Sequence, residues 1–229
     1  MRPHAILFDA VGTLIHPTPA VAEVYARVGA QFGSPRTPTE VAARLRPAYA
    51  EQDHHDVLAD LTTSEDRERA RWRSIIRTAL DDLTDAEGCF AALYAHFASP
   101  SAWSLDPLAE PVLTAIAAQG IAIGLASNFD RRLHPIVAAL PGLRPVQAVV
   151  VSSEVGYRKP APKFFAAALG QVRTSAEQTW FVGDDLNNDY QGARLAGLYS
   201  ILFDPAGRHA REPDVRRIEQ LDQLLDWLA

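Results

Sequence analysis

The chain has 229 residues, 48% of them hydrophobic and 22% charged, with a formal net charge of −6. That length and apolar content are enough for one well-buried core and a smaller satellite, while the acidic balance, without a Lys/Arg stripe that also carries aromatics, excludes a nucleic-acid surface as the main function. No stretch approaches the length of a membrane span, the apolar run at the amino terminus is too short for a signal-peptide core, and the single cysteine, Cys89, excludes an internal disulfide, so the expectation is a globular chain of the cytoplasm.

The first element is Ala5-Ile6-Leu7-Phe8, which runs into Asp9 and then a turn, Ala10-Val11-Gly12-Thr13-Leu14. A short apolar run closed by a turn signal reads as a buried strand. Asp9 then projects from the strand's C-terminal end, where open α/β sheets bind ligands; taken alone, it fits a simple turn cap equally well. From residue 21 to about 98 the apolar spacing becomes helical: Val24, Val28 and Phe32, then Val41, Leu45 and Tyr49, then Trp72, Ile75, Ile76, Ala79 and Leu80. This predicts an all-helical insert after the first strand. Its charges, Glu51, Asp53, Asp56, Glu65, Asp66, Arg67, Glu68, Arg69 and Arg71, read as solvated helix faces, and Cys89 beside Phe90 and Leu93 reads as packing.

Beyond the insert, helical residues 112–119 precede a strand at 121–126 that stops at Ser127-Asn128. Further strands are expected at 147–151, 179–182 and 198–203. Between the first two of these, a Gly- and Pro-punctuated loop holds Lys159 ahead of Phe164-Phe165, and the 179–182 strand ends at Gly183-Asp184-Asp185 with Asp189 one helical turn on. A last amphipathic helix carries Leu224, Leu225 and Trp227. Alternating strands and helices argue for a parallel sheet with helices on both faces, an α/β, Rossmann-like three-layer core. Three strand ends that deliver polar groups imply one shared crevice.

Four blocks in this order resemble the haloacid dehalogenase superfamily of hydrolases: Asp9 to Leu14 its nucleophile loop, Ser127-Asn128 its phosphoryl-binding hydroxyl, Lys159-Pro160 its lysine block, and Gly183-Asp184 through Asp189 its acidic metal block. Ser127-Asn128-Phe129-Asp130-Arg131-Arg132-Leu133 and Glu154-Val155-Gly156 look most like subfamily I, near the rhythmically-expressed-gene-2-like branch. The resemblance implies a core of residues 1–15 and 100–229 and a helical cap of residues 16–99, joined by linkers near His16 and Ser99. It implies that the first strand is central, flanked by the strands that begin near Ile121 and Thr179. It also implies that Asp9 attacks in line to give an aspartyl intermediate, with Lys159 neutralising Asp9 and substrate. Ser127, the Asn128 backbone N–H and Thr13 would serve the substrate. Asp9, Asp184 and the Val11 carbonyl match the metal positions, with Asp185 and Asp189 orienting coordinated waters. Oxygen-only ligands suit Mg²⁺.

The chain departs from the family at Val11. Phosphatases of the family usually carry a second Asp two residues after the nucleophile, which protonates the leaving oxygen and later activates water; valine does neither. A positioned general acid/base contributes roughly 10²–10⁴ in rate. The leading reading is a Mg²⁺-dependent phosphohydrolase of a small phosphorylated metabolite, monomeric or homodimeric, with no nucleic-acid or membrane partner. The alternatives are a non-catalytic protein that binds Mg²⁺ and an anion, and carbon–halogen hydrolysis, whose halide leaving group needs no proton. Against the last stand the acidic block, foreign to the metal-free dehalogenases, and Phe165 where those enzymes place a tyrosine six residues after the lysine. His54, His55, Arg71 and Arg73 could replace the missing acid from the insert but read as surface, as do Arg131 and Arg132 after a helix-starting Asp130.

Overall fold

The computed structural model describes residues 2–228. Strand β1 (Ala5–Phe8) has no exposed face, so it must be covered on both sides. Ile6 and Phe8 pack in one cluster with Val112, Leu113 and Ile116 of helix α5 (Ala109–Ala118) and Leu224 of α10 (Gln223–Leu228). Leu7 packs in the other with Phe164, Phe165 and Ala168 of α8 (Pro162–Val172). The two-residue period of a strand therefore divides one apolar run between two helical layers.

Around β1 lie β4 (Ala122–Ser127), β5 (Ala148–Val151), β6 (Thr179–Gly183), β7 (Tyr199–Phe203) and β8 (Arg217–Ile218). The order is β5-β4-β1-β6-β7-β8 with every pairing parallel, so the expected three-layer core with a central first strand is what the chain forms. Register places Phe8 opposite both Leu125 and Val182. Asp9, Ser127 and Asp184 consequently leave the sheet at one edge. The β8 edge strand was not foreseen; it is two residues long, and a short edge offers little template for pairing with another chain.

The insert forms α1 (Val21–Gln31), α2 (Pro38–Leu58), α3 (Glu65–Ala79) and α4 (Ala86–His96), with a buried cluster of its own that includes Val24, Val41, Ile75, Cys89 and Phe90. Helix α2 starts from a capping box, in which Thr37 and Glu40 satisfy each other's backbone N–H, with Pro38 at the first helical position. Ser64 and Asp85 cap α3 and α4. The two crossings between insert and sheet are not separate linkers. They pair as an antiparallel ribbon of β2 (Ile15–Pro17) and β3 (Trp103–Leu105), His16 opposite Ser104. Among the described residues no helix is long and apolar enough to cross a membrane.

The charged run of α2 and α3 is not a solvated face throughout. Asp56, Glu68 and Arg71 are buried. Arg71 and Arg67 reach the two oxygens of Asp56 at 2.9 and 2.6 Å, while Arg158, from the loop before α8, bonds Glu68 and lies 3.3 Å from Asp56. The reason is tertiary: the α2–α3 connection docks on that loop, with Thr63 N–H donating to Gly156 O at 3.0 Å and Arg158 N–H to Leu61 O at 2.9 Å. Arg132 is also covered, paired with the fully buried Asp130, whereas Arg131 stays exposed.

A charge left alone in such a place is costly. Arg158→Ala strands the buried Glu68, whereas Asp56 keeps Arg67 and Arg71, and should lower stability by ~3–5 kcal/mol, read as a fall in the urea midpoint. Arg131→Ala, whose exposed guanidinium lies 3.5 Å from Glu65, should leave that midpoint nearly unchanged.

Candidate active site

The strand that ends at Phe8 turns at once, because Leu14 N–H and Ile15 N–H both donate to Ala10 O at 2.9 Å and Gly12 N–H donates to Ile15 O at 2.9 Å. Gly12 has φ +96°, and a Cβ there would overlap the Asp184 carboxylate. Only glycine lets this loop pass so close to the end of β6. Thr13 is buried, its hydroxyl 3.4 Å from Asp184 Oδ1; it faces the neighbouring acid.

After β6, Asp184 remains exposed. Asp185 turns its Oδ1 onto the N–H groups of Asn187 and Asn188, at 2.8 and 2.7 Å, and so caps a π-helical segment, Leu186–Gln191. Such widened turns recur at functional sites. Here it folds Asp189 back beneath Gly183, where a Cβ would overlap the Asp189 carboxylate, and Asp185 N–H donates to Asp189 Oδ2 at 3.1 Å.

Lys159 is 3% exposed, with Nζ 2.6 Å from Asp9 Oδ1 and 2.6 Å from Asp189 Oδ1. Ser127 Oγ donates to the same Asp9 oxygen at 3.0 Å. Among the described residues nothing donates to Asp9 Oδ2, which is left open. The lysine's backbone is clamped by the Asn128 side chain: Lys159 N–H donates to Asn128 Oδ1 at 2.7 Å, and Asn128 Nδ2 donates back to Lys159 O at 3.0 Å.

Asp9, Asp184 and Asp189 each offer an oxygen within 4.8 Å of the others, against one ammonium. Although the Asp184 residue keeps surface open to solvent, desolvation of its carboxyl among crowded neighbours, then the charges of Asp9 and Asp189, pushes its pKa up. Asp189 is also raised, by burial first and then Asp9, although Lys159 pulls the other way. Burial works against the Lys159 charge, but Asp189 and Asp9 more than offset it and raise its pKa. Three crowded carboxylates with a single buried cation leave an excess of negative charge. An oxygen-only donor set of this kind fits a hard divalent cation.

The structure thus brings together Asp9, Ser127, Lys159, Asp184 and Asp189, with Thr13 and Asn128 at their backs. The Asp185 carboxylate is outside the acidic group, consumed by the cap. The Val11 side chain, half-buried, lines a cavity of about 170 Å³ between the insert and the strand ends. Of the residues weighed as a substitute acid, His54 and His55 are exposed and Arg73 pairs with Glu87 at 3.1 Å. Arg71 is buried and committed to Asp53 and Asp56, contrary to the surface reading. Sequence reasoning did not find the Asn128 clamp or the Arg158 contacts. For Asn128 only adjacency to Ser127 was visible; for Arg158 the signal was the spacing of Asp53 with Asp56 and of Arg67 with Arg71, one face on each of two successive helices.

Raised carboxyl pKa values mean that the metal-free native state holds protons which the unfolded chain, with ordinary carboxylates, releases at lower pH. Stability of the metal-free protein should therefore fall as pH rises from about 5 to about 8. Melting in chelator should show this fall, and Asp184→Asn should flatten it; a Tm that climbs more steeply than that of the variant would contradict the crowding of these acids.

Against known proteins, residues 3–197 match the haloacid dehalogenase-like hydrolase family. The chain is 30% identical to Haloacid dehalogenase-like hydrolase domain-containing protein 3 of Homo sapiens, over 98% of this chain and 90% of that protein. It is 29% identical to the phosphoserine phosphatase of Thermus thermophilus, over 91% of each. The L-2-haloacid dehalogenase RSc1362 superposes with a TM-score of 0.78 at 21% identity, covering 100% of this chain and 99% of that one, a likeness of fold. A family match across both the strand-end residues and the helical insert, together with full-length relatives, makes this chain a haloacid dehalogenase-like hydrolase.

Proposed function

We propose that this hydrolase is a Mg²⁺-dependent phosphohydrolase that works through an aspartyl-phosphate on Asp9, acting on a small phosphorylated metabolite of the cytoplasm. The observation that carries the reading is the asymmetry of Asp9. Lys159 and Ser127 both hold Oδ1, which turns Oδ2 outward as the attacking atom. A carboxylate approaches an anionic phosphoryl group only if repulsion is cancelled. Lys159 supplies part of that cancellation. Asp9, Asp184 and the Val11 carbonyl would hold Mg²⁺, with Asp189 orienting its waters, and the bound ion would neutralise phosphoryl charge.

In the first half of the reaction Asp9 Oδ2 forms a bond to phosphorus, and the ester P–O bond breaks with its electron pair on the leaving oxygen. In the second half water adds to phosphorus, releasing phosphate and the Asp9 carboxylate. Ser127 Oγ and the Asn128 N–H bind phosphoryl oxygens throughout. Residues 16–99 act as a cap that covers the crevice and excludes water. The names of two relatives support phosphomonoester chemistry: the phosphoserine phosphatase above, and a ribulose-1,5-bisphosphate 5-phosphatase of Halopiger xanaduensis, 35% identical over 45% of this chain.

Val11 also suits carbon–halogen hydrolysis. Two observations weigh against that reading: the three grouped acids would be an unexplained electrostatic cost in a metal-free site, and Phe165 is fully buried against Phe164 and Phe181, far from the role of a tyrosine at a site.

Because Val11 has no proton to give, departure should depend on leaving-group basicity. In Mg²⁺, p-nitrophenyl phosphate or an acyl phosphate should be turned over far faster than an alkyl phosphate of similar size, and chelation should abolish both activities. Val11→Asp should raise alkyl-phosphate turnover by up to roughly 10²–10⁴, and Asp9→Asn should abolish turnover of both classes. Equal steady-state rates on the two classes in the parent protein would sink the missing-acid account. Absence of both, with Mg²⁺ still bound, would favour a non-catalytic anion-binding protein.

A further inference from the structure

The cavity beside the crevice has a composition that the phosphoryl chemistry does not explain. Its core side includes Val11 and Asn128, which follow Asp9 and Ser127 in the chain, and Phe129; its cap side includes Tyr25, Tyr49 and Trp72, one from each of three helices. At about 170 Å³ it is close to the ~150 Å³ of an apolar cavity that accepts benzene.

Charge at its boundary is already matched. The guanidinium of Arg132, the one cation in its lining among the described residues, donates through Nε and Nη2 to the two oxygens of Asp130 at 2.8 Å and through Nη1 to Tyr94 O at 3.2 Å. Its flat face lies 3.6 Å from the Tyr94 ring centre. The Asn128 amide is committed to the Lys159 backbone through both its oxygen and its nitrogen. The phenols are neutral, burial pushing the Tyr49 pKa up to about 12 and the Tyr25 pKa well above its usual value.

A polyol, an amine or a carboxylate entering this space would surrender hydrogen bonds to water without charged or amide partners to replace them. An aromatic ring would give up no hydrogen bond of its own and would gain edge and face contacts; Tyr49 and Trp72 already pack edge-on, ring centres 6.2 Å apart. Val11 makes the same demand from the chemical side, since a phenol departs without a donated proton while an alkanol does not.

We infer that the substrates are phosphate monoesters of uncharged aromatic alcohols, with the ring seated between Tyr25, Tyr49, Trp72 and Phe129 and the ester oxygen next to Val11. The inference rests on the phosphohydrolase reading for turnover, and on the cavity alone for binding.

The test separates the two. Calorimetry in Mg²⁺ compares benzylphosphonate, an uncleavable mimic of phenyl phosphate, with methylphosphonate. Steady-state kinetics compares benzyl phosphate with glycerol 3-phosphate, two esters whose leaving alkoxides are similarly basic, so that only the cavity distinguishes them. Benzylphosphonate should bind roughly 100-fold tighter than methylphosphonate, and kcat/KM should favour benzyl phosphate in the same direction. Trp72→Gln should shrink both ratios; if that variant does not fold, the ratios of the parent protein decide alone. Equal or undetectable affinity for the two phosphonates overturns the inference, as does hydrolysis of glycerol 3-phosphate at least as efficient as that of benzyl phosphate, an outcome that leaves the phosphohydrolase reading standing. Tight benzylphosphonate binding with no ester or acyl phosphate hydrolysed overturns the phosphohydrolase reading and keeps the aromatic assignment of the cavity.

Discussion

A single buried ammonium organises the strand-end crevice. Lys159 lies between Asp9 and Asp189, 2.6 Å from an oxygen of each, and without it those carboxylates would face each other in a place that water scarcely reaches. Such a cation is stable only where partners surround it, so its position must be fixed from several directions. The Asn128 amide clamps its backbone, and Phe181 of β6 presents a ring 5.3 Å away. The π-helical segment after β6 brings Asp189 to its other side. Gly12 and Gly183 are needed for the same reason, since a side chain at either would displace a carboxylate from the group.

The same loop also holds the insert. Arg158 enters the cap's buried ion pairs, while its neighbour Lys159 enters the strand-end site. Two adjacent residues thus point into two different buried charge clusters, one shared with α2 and α3 and one with β1 and the segment after β6. Docking of the insert and placement of the lysine are therefore mechanically joined through one stretch of backbone. The physical basis of that joint is the cost of stranding the buried Glu68.

Val11 acquires a meaning from its surroundings that it lacks as an isolated departure. An aspartate at that position would add a further charge beside three crowded carboxylates and would face Tyr25, Tyr49, Trp72 and Phe129 across the cavity. Burying a carboxylate against such a wall is unfavourable unless something pairs with it, and Arg132, the cation lining the cavity, is already held by Asp130. Valine lines the same place without that cost. On the proposed phosphohydrolase reading, the absent proton donor and the apolar wall would be one structural choice.

Much of this was legible in the chain itself. Apolar runs that stop at Asp9, Ser127 and Asp184 show strand ends, because a strand buried on both faces must be apolar throughout and a turn must follow where it stops. The helical spacing of residues 21–98 likewise marks the insert, and the cluster around Val24, Ile75 and Phe90 follows from it. What sequence left open was decided by contacts between distant residues. Asp185 and Asp189 are equally acidic in the sequence, yet a turn sends one to cap backbone N–H groups and the other to Lys159. Glu68 and Arg158 stand 90 residues apart, and periodicity within one helix carries no record of such a partner. Period and turn chemistry are local properties, so the sequence by itself determined the elements and their ends. Pairing of buried charges and closure of a cavity depend on which surfaces meet, and only the tertiary structure decided those.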